Sequence, residues 1–176
     1  MEELSREKRL QLVREGIENF FNDDDLKFTP FDENDIASAT FAVHSKFGHA
    51  KILYRAHADK VILQMIVPLS AGEEERAKVG EYLLRANYGL RVGGFDFDFD
   101  DGEISYRVSI YLGDENFAPP THEQLDFATS VGLAMIDRYG DGLVKVMFGL
   151  AEPEDAVDAA ESDVRMFGLG DDDGDD

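Results

Sequence analysis

The chain has 176 residues, 43% of them apolar, with 38 acids against 17 bases for a net charge of -21, and no cysteine. That length suits one domain with its own core; the charge argues against a nucleic-acid partner held by phosphate neutralisation and against adhesion to an anionic membrane, and reads first as a solvated surface that keeps the chain soluble, with a basic protein partner steered by the field as the functional alternative. Lack of cysteine excludes disulfides, thiolate catalysis and cysteine-held zinc, and an acidic start, Met1-Glu2-Glu3, without any run of about 18 apolar residues, leads us to expect a cytoplasmic location.

Residues 5–21 predict an amphipathic helix: Ser5 can cap it, and Leu10, Val13, Ile17 and Phe20 share one stripe. Asn22-Asp23-Asp24-Asp25 stops it, because Asn and Asp compete for backbone hydrogen bonds. Residues 27–31 form a short strand that Pro30 confines to an edge. Residues 37–45 alternate through Ala39, Phe41 and Val43, 50–57 pair with them, and 61–67 are a near-continuous apolar strand, with turns at Gly48-His49 and Asp59-Lys60. Short connections make these three strands a meander of antiparallel neighbours. Pro68 ends the run, 71–87 form a second helix with Val79, Tyr82, Leu83 and Ala86 inside, and Gly89 stands where a helix end favours positive φ. After a hairpin, Pro119-Pro120 breaks the chain, Thr121 and Gln124 form a capping box, and Leu125, Ala128, Val131, Met135 and Tyr139 line a long third helix. Gly140 and Gly142 punctuate it ahead of a further helical piece at 143–148, and Pro153 opens a last helix through Ala160. One domain is expected over 1–166; the remainder, 167–176, rich in aspartate with little to bury, reads as a disordered acidic tail.

Within the hairpin, Phe95, Phe97 and Phe99 alternate with Asp96, Asp98 and Asp100, the period of a half-buried strand. A two-residue type I′ turn at Asp101-Gly102 would set Phe99 opposite Ile104, Phe97 opposite Tyr106, Phe95 opposite Val108, Asp96 opposite Arg107 and Asp98 opposite Ser105. The same aspartates imitate the first ligands of an EF-hand calcium loop. Asp101 stands where that loop needs glycine and Arg107 where it needs glutamate, so the strand reading prevails.

Strand runs separated by helices imply an α+β fold, an antiparallel sheet of about five strands with helices on one face. Arg85-Ala86-Asn87-Tyr88-Gly89-Leu90, the Gly-Gly-Phe-Asp-Phe-Asp strand, Asp101-Gly102-Glu103-Ile104-Ser105-Tyr106-Arg107, Met135-Ile136-Asp137-Arg138-Tyr139 and Glu152-Pro153-Glu154-Asp155-Ala156 together resemble the YbjN-like family, labelled bacterial sensory transduction regulators. The likeness spans about residues 5–162 and is sharpest over 82–111. It implies a bent sheet of the type III secretion chaperone kind, in α-βββ-α-ββ-α order with extra C-terminal helices, and a homodimer. It implies no reaction.

No phosphate loop, G-x-G-x-x-G, H-E-x-x-H or G-x-S-x-G is present, and among 38 carboxylates paired acids carry no weight. His44, His49 and His57 lie around one hairpin, where a three-histidine metal site is conceivable; none has i, i+4 helical spacing, and ordinary strand histidines are expected. No catalytic, cofactor or metal residue is assigned, and Asp137-Arg138 reads as a helix cap or bridge. Arg85, Asn87, Tyr88 and Arg91, around the corner that Gly89 turns, are the candidate partner-binding residues, although the two arginines can also pair with the chain's own acids. We expect a non-enzymatic, chaperone-like or regulatory module that binds another protein through a sheet edge or apolar groove. The alternative is a small-ligand- or metal-binding protein or enzyme with a pocket between sheet and helices.

Overall fold

The structure is a computed structural model that describes residues 4–166; the expected acidic tail lies outside the described residues. α1 (Arg6–Asp23) begins where the Ser5 hydroxyl accepts the Lys8 amide at 3.2 Å, and it buries Val13, Ile17, Phe20 and Phe21. Asp25 then turns the chain with a φ of 52°, a region Asp tolerates better than most residues. β1 (Phe28–Thr29), β2 (Ile36–Ala42), β3 (His49–Ala56) and β4 (Lys60–Ile66) follow, each antiparallel to the next. β1 is an edge, as Pro30 requires.

The second helix begins later than its composition suggests. Ala71 donates its N–H to the Gly102 carbonyl at 2.9 Å, and a 3-10 turn over Glu73–Glu75 then leads into α2 (Arg76–Asn87). Arg76 donates to the Phe99 and Asp100 carbonyls at 3.0 and 3.1 Å, so the helix start is fastened to the hairpin turn. Val79, Tyr82, Leu83 and Ala86 are all buried, as their spacing predicts.

β5 (Gly94–Phe97) and β6 (Ile104–Tyr111) complete one open sheet of six strands in the order β1-β2-β3-β4-β6-β5. Phe95 pairs with Tyr106 and Phe97 with Ile104, two residues from the register a type I′ turn would set. The turn is longer because aspartate side chains build it. Asp98 and Asp101 accept the amides of Asp100 and Glu103, each at 2.8 Å, and Gly102 alone takes a positive φ, 79°, where type I′ needs two such residues in succession. Phe99 therefore sits on the loop against Gly80, 59% exposed, and not in the strand. A two-residue shift keeps side-chain parity, so Phe95 still faces the core and Asp96 still reaches Arg107, at 2.9 Å on a diagonal.

α3 (His122–Met147) starts at the expected capping box of Thr121 and Gln124 and runs unbroken past Gly140 and Gly142. Those glycines mark close approach, not a break. A Cβ on Gly142 would lie 2.5 Å from the Tyr82 hydroxyl, which passes there to donate to the Tyr139 carbonyl at 2.6 Å; one on Gly140 would lie 2.7 Å from the Ser45 Cβ. Packing along the helix outweighs the roughly 1 kcal/mol of propensity each glycine costs. α4 (Pro153–Met166) lies on α2 and α3 and buries Ala156 and Val157.

All the helices stand on one side of the sheet. Tyr54 of β3 meets Phe21 of α1 edge to face at 4.8 Å and hydrogen-bonds Thr129 of α3 at 2.9 Å. Tyr139 of α3 meets Phe95 of β5 edge to face at 5.8 Å, and Met65 of β4 lies against Gly132 of α3. At the other end of α3, His122 Nε2 contacts Asp24 Oδ1 at 2.7 Å and its ring meets Phe20 at 5.2 Å.

The Asp24 hydrogen bond, with the charges of Asp24, Asp126 and Asp23, outweighs desolvation and raises the His122 pKa above its ordinary value of 6.5. Stability from this contact is fully present below that value and is lost as pH rises through the raised one. Thermal unfolding of His122→Gln should fall furthest below the parent near pH 6 and match it in the alkaline range; a constant difference across pH would show that ring packing alone matters.

Candidate functional site

The four candidate residues at the end of α2 do different jobs. Arg85 Nε pairs with Glu81 at 2.8 Å, and Nη2 with Glu154 at 3.7 Å. Asn87 accepts the Phe95 N–H at 2.7 Å and donates to the Phe95 carbonyl at 2.9 Å. Its amide thus occupies the backbone of the outermost strand as a neighbouring strand would, and blunts that edge against pairing. Tyr88 is 88% exposed, and Arg91 is exposed with no carboxylate in ion-pair range among the described residues.

The histidines are dispersed. His49 opens β3 and His57 follows its end, about 26 Å apart at strand rise, so they cannot share an ion. His44 bonds Asp137 of α3 instead, Nδ1 to Oδ2 at 3.0 Å. Asp137 Oδ1 also accepts the His44 and Ser45 amides at 2.6 and 2.8 Å, and Asp141 accepts that of Lys46 at 2.8 Å. Burial pushes the Asp137 pKa up, but these hydrogen bonds and the His44 charge push harder, leaving it below the ordinary carboxylate value. Asp137 bridges its helix to the β2–β3 turn.

The space between sheet and helices is filled by Tyr54, Tyr82, Tyr106 and Tyr139 with Phe20 and Phe21, all nearly fully buried. Burial raises the phenol pKa values, that of Tyr139 to about 12, and each hydroxyl has a partner: Thr129 for Tyr54, the Tyr139 carbonyl for Tyr82, the Val92 carbonyl for Tyr106 and Glu161 for Tyr139. Hollows of about 420, 480 and 560 Å³ lie on the surface, by Asp98 and Glu103, along α1, and beside Asn87 and Arg107.

Among the described residues, the other face of the sheet bears no helix. Register places Ile36, Ser38 and Thr40 of β2, Lys51, Leu53 and Arg55 of β3, Lys60, Ile62, Gln64 and Ile66 of β4, Ser105, Arg107, Ser109 and Tyr111 of β6, and Asp96 of β5 on it. Ile36, Leu53, Ile62 and Ile66 are half-buried only by their neighbours, and Tyr111 is 67% exposed. Around this apolar centre stand Lys51, Arg55, Lys60 and Arg107, while Asp96, Asp98 and Glu103 gather with Gln64 and Ser105 at its β5–β6 end, so the charge on the face is divided between a basic β3 side and an acidic β5–β6 side. Arg107 pairs with Asp96 and Lys60 with Asp59, while Lys51 and Arg55 have no carboxylate partner among the described residues. Reading 61–67 as uniformly apolar hid this face. Writing Lys51-Ile52-Leu53-Tyr54-Arg55 against Lys60-Val61-Ile62-Leu63-Gln64 in register reveals it.

No helix among the described residues is long and apolar enough to cross a membrane. No curated protein matches the chain. A solved structure of "YbjN, a putative transcription regulator from E. coli" shares the fold, with a TM-score of 0.50 at 12% identity over 70% of this chain and 85% of that one. A model of the YbjN family, described as "Putative bacterial sensory transduction regulator", matches residues 14–144, and the chain belongs to that family.

Proposed function

We propose that this YbjN-family chain is a non-enzymatic regulatory module that holds another protein on the open face of its sheet. One observation carries the reading: a half-exposed apolar patch of Ile36, Leu53, Ile62, Ile66 and Tyr111, with Lys51 and Arg55 beside it, on a sheet whose opposite face is fully packed. The partner would present apolar side chains with carboxylates placed to meet Lys51 and Arg55. Net charge alone favours a basic partner, but at a Debye length of about 8 Å contact is governed by the nearest charges, and on the β3 side of this face those are Lys51 and Arg55. Duplex DNA is a poorer occupant, since the centre of the patch is apolar and the chain as a whole repels phosphate. A second copy on the same face would compete with that partner for the apolar centre. The homodimer that the family resemblance implies would form elsewhere, for instance at Leu84 and Tyr88, exposed one turn apart at the end of α2.

A photo-crosslinking side chain at Ile62 in the full chain, irradiated in cytosol of the source cell, tests this. A discrete adduct is expected that is absent from the same probe at Glu123, on the outer side of α3, and is lost in Lys51→Glu/Arg55→Glu. Equal labelling at Ile62 and Glu123, or an adduct indifferent to charge reversal, would overturn the reading.

A further inference from the structure

We propose that two copies of the chain pair through α2, each helix antiparallel to its counterpart about a two-fold axis at Leu84, so that both open faces stay uncovered and the assembly holds two partner molecules. The inference builds on the reading that leaves the open face to a partner, and adds where the copies meet.

α2 buries Val79, Tyr82, Leu83 and Ala86 on one side. At about 100° per residue the opposite side carries Ala77, Glu81, Leu84 and Tyr88, and all four are exposed. A helix that packs one face on a core normally turns polar residues outward, yet here Leu84 is 74% and Tyr88 88% exposed. Phe99 widens the apolar strip. The hairpin turn lays its ring over Gly80, where a Cβ would come within 2.6 Å of it, and the ring stays 59% exposed. Glu81, which shares this side, is already paired with Arg85 at 2.8 Å.

The strip is complementary to itself. Its side chains are small toward the start of α2, at Ala77 and Gly80, and large toward the end, at Leu84 and Tyr88. An antiparallel two-fold sets the large half of one copy on the small half of the other, with Leu84 meeting Leu84 on the axis and Tyr88 reaching Ala77 and the Phe99 ring. Parallel helices would crowd Tyr88 against Tyr88 and leave Ala77 facing Ala77.

Charge selects the same arrangement. Asp100 follows Phe99 at the start of the helix, where Arg76 holds its carbonyl at 3.1 Å. Arg91 lies in the loop beyond the other end, past Asn87, about 17 Å along the axis from Arg76. Both are exposed, and neither side chain has an ion-pair partner among the described residues. Antiparallel pairing brings Arg91 of each copy to Asp100 of the other, twice by symmetry, and opposes the two helix dipoles. The net charge of -21 on each copy resists indiscriminate association, so at a screening length of about 8 Å these near opposite charges set the orientation.

Because α2 stands on the helical side of the sheet, its pairing turns the two open faces away from each other. Each dimer therefore binds two partner molecules, one on each side, and joins them.

The natural absence of cysteine lets single thiols map the contact on the full chain. Leu84→Cys should oxidise rapidly to a disulfide-linked species of twice the 19.7 kDa of one chain, because residues on the axis come within the span of less than about 7 Å that a disulfide needs. Tyr88→Cys alone should not, since four residues to either side of the axis separate its two copies by about 12 Å. A mixture of Tyr88→Cys with Ala77→Cys should cross-link. In sedimentation, Leu84→Lys should leave a single-chain species with an unchanged unfolding temperature. Arg91→Glu and Asp100→Arg should each weaken self-association at least about threefold, and combining them in one chain should restore it. A single-chain species at every concentration up to about 1 mM, a dimer indifferent to Leu84→Lys, or no recovery in the combined charge variant would overturn the inference. Photo-crosslinking at Ile62 in Leu84→Lys keeps the two readings apart: an adduct that persists there retains the partner on the open face whatever happens to the dimer.

Discussion

Gly102→Ala should destabilise the protein by about 3 kcal/mol. Two causes add. At a φ of 79° an L side chain costs about 1–2 kcal/mol. The new Cβ would also lie 2.2 Å from the Ala71 carbonyl oxygen and 2.9 Å from the Ala71 nitrogen, backbone atoms that cannot rotate aside as a side chain could. Relief requires opening the Ala71 to Gly102 hydrogen bond and the Arg76 contacts that fasten α2 to the turn. Gly89→Ala separates the causes, because Gly89 has a similar φ of 88° with nothing within 4 Å of its Cβ position, and should cost only the conformational part, about 1–2 kcal/mol. Urea midpoints of the two variants measure the difference. Equal losses would show that the approach to Ala71 carries no energy.

Asp137→Ala should cost about 2–3 kcal/mol at neutral pH, because one carboxylate closes the β2–β3 turn through two backbone amides and the His44 ring. Asp137→Asn retains an acceptor for the amides and should recover about half of that loss. The pH dependence has a definite sign. With a folded pKa below the ordinary 3.8, the contribution is complete above that value and disappears as pH falls through the folded one. Unfolding curves of the parent and Asp137→Ala should therefore converge in strong acid and stay apart at pH 5 and above. A gap that persists unchanged into strong acid would mean that the turn is held by packing, not by the charge.

Most of the strands were legible because alternation is a local signal: β3 and β4 bury every second residue, and their sequences say so. The hairpin turn was misread by two residues because Asp-Gly is a strong signal for type I′, and the competing effect, Asp98 and Asp101 bonding their own backbone, depends on side-chain geometry. The fold survived because an even shift leaves every side chain on its face. Gly140 and Gly142 looked like punctuation because propensity ignores what lies opposite, here Ser45 and the Tyr82 hydroxyl. Arg9 was passed over in the same way. It falls four residues before Val13 on the inner stripe, and it is buried against the Phe117 ring while pairing with Asp114 at 3.1 Å. The open face was hidden for a further reason: its cations come from three strands, so only the pairing register assembles them.

α3 carries a consequence for how the molecule comes apart. Along its roughly 39 Å length it takes hold of α1 through His122, of the β2–β3 turn through Asp137, of α2 through the Tyr139 carbonyl and of α4 through the Tyr139 hydroxyl. No neighbour can peel away without loading the rod that the others also grip. Opening is therefore concerted, and slow amide exchange is shared by segments far apart in sequence. The side of the sheet away from the helices lies outside that shared grip.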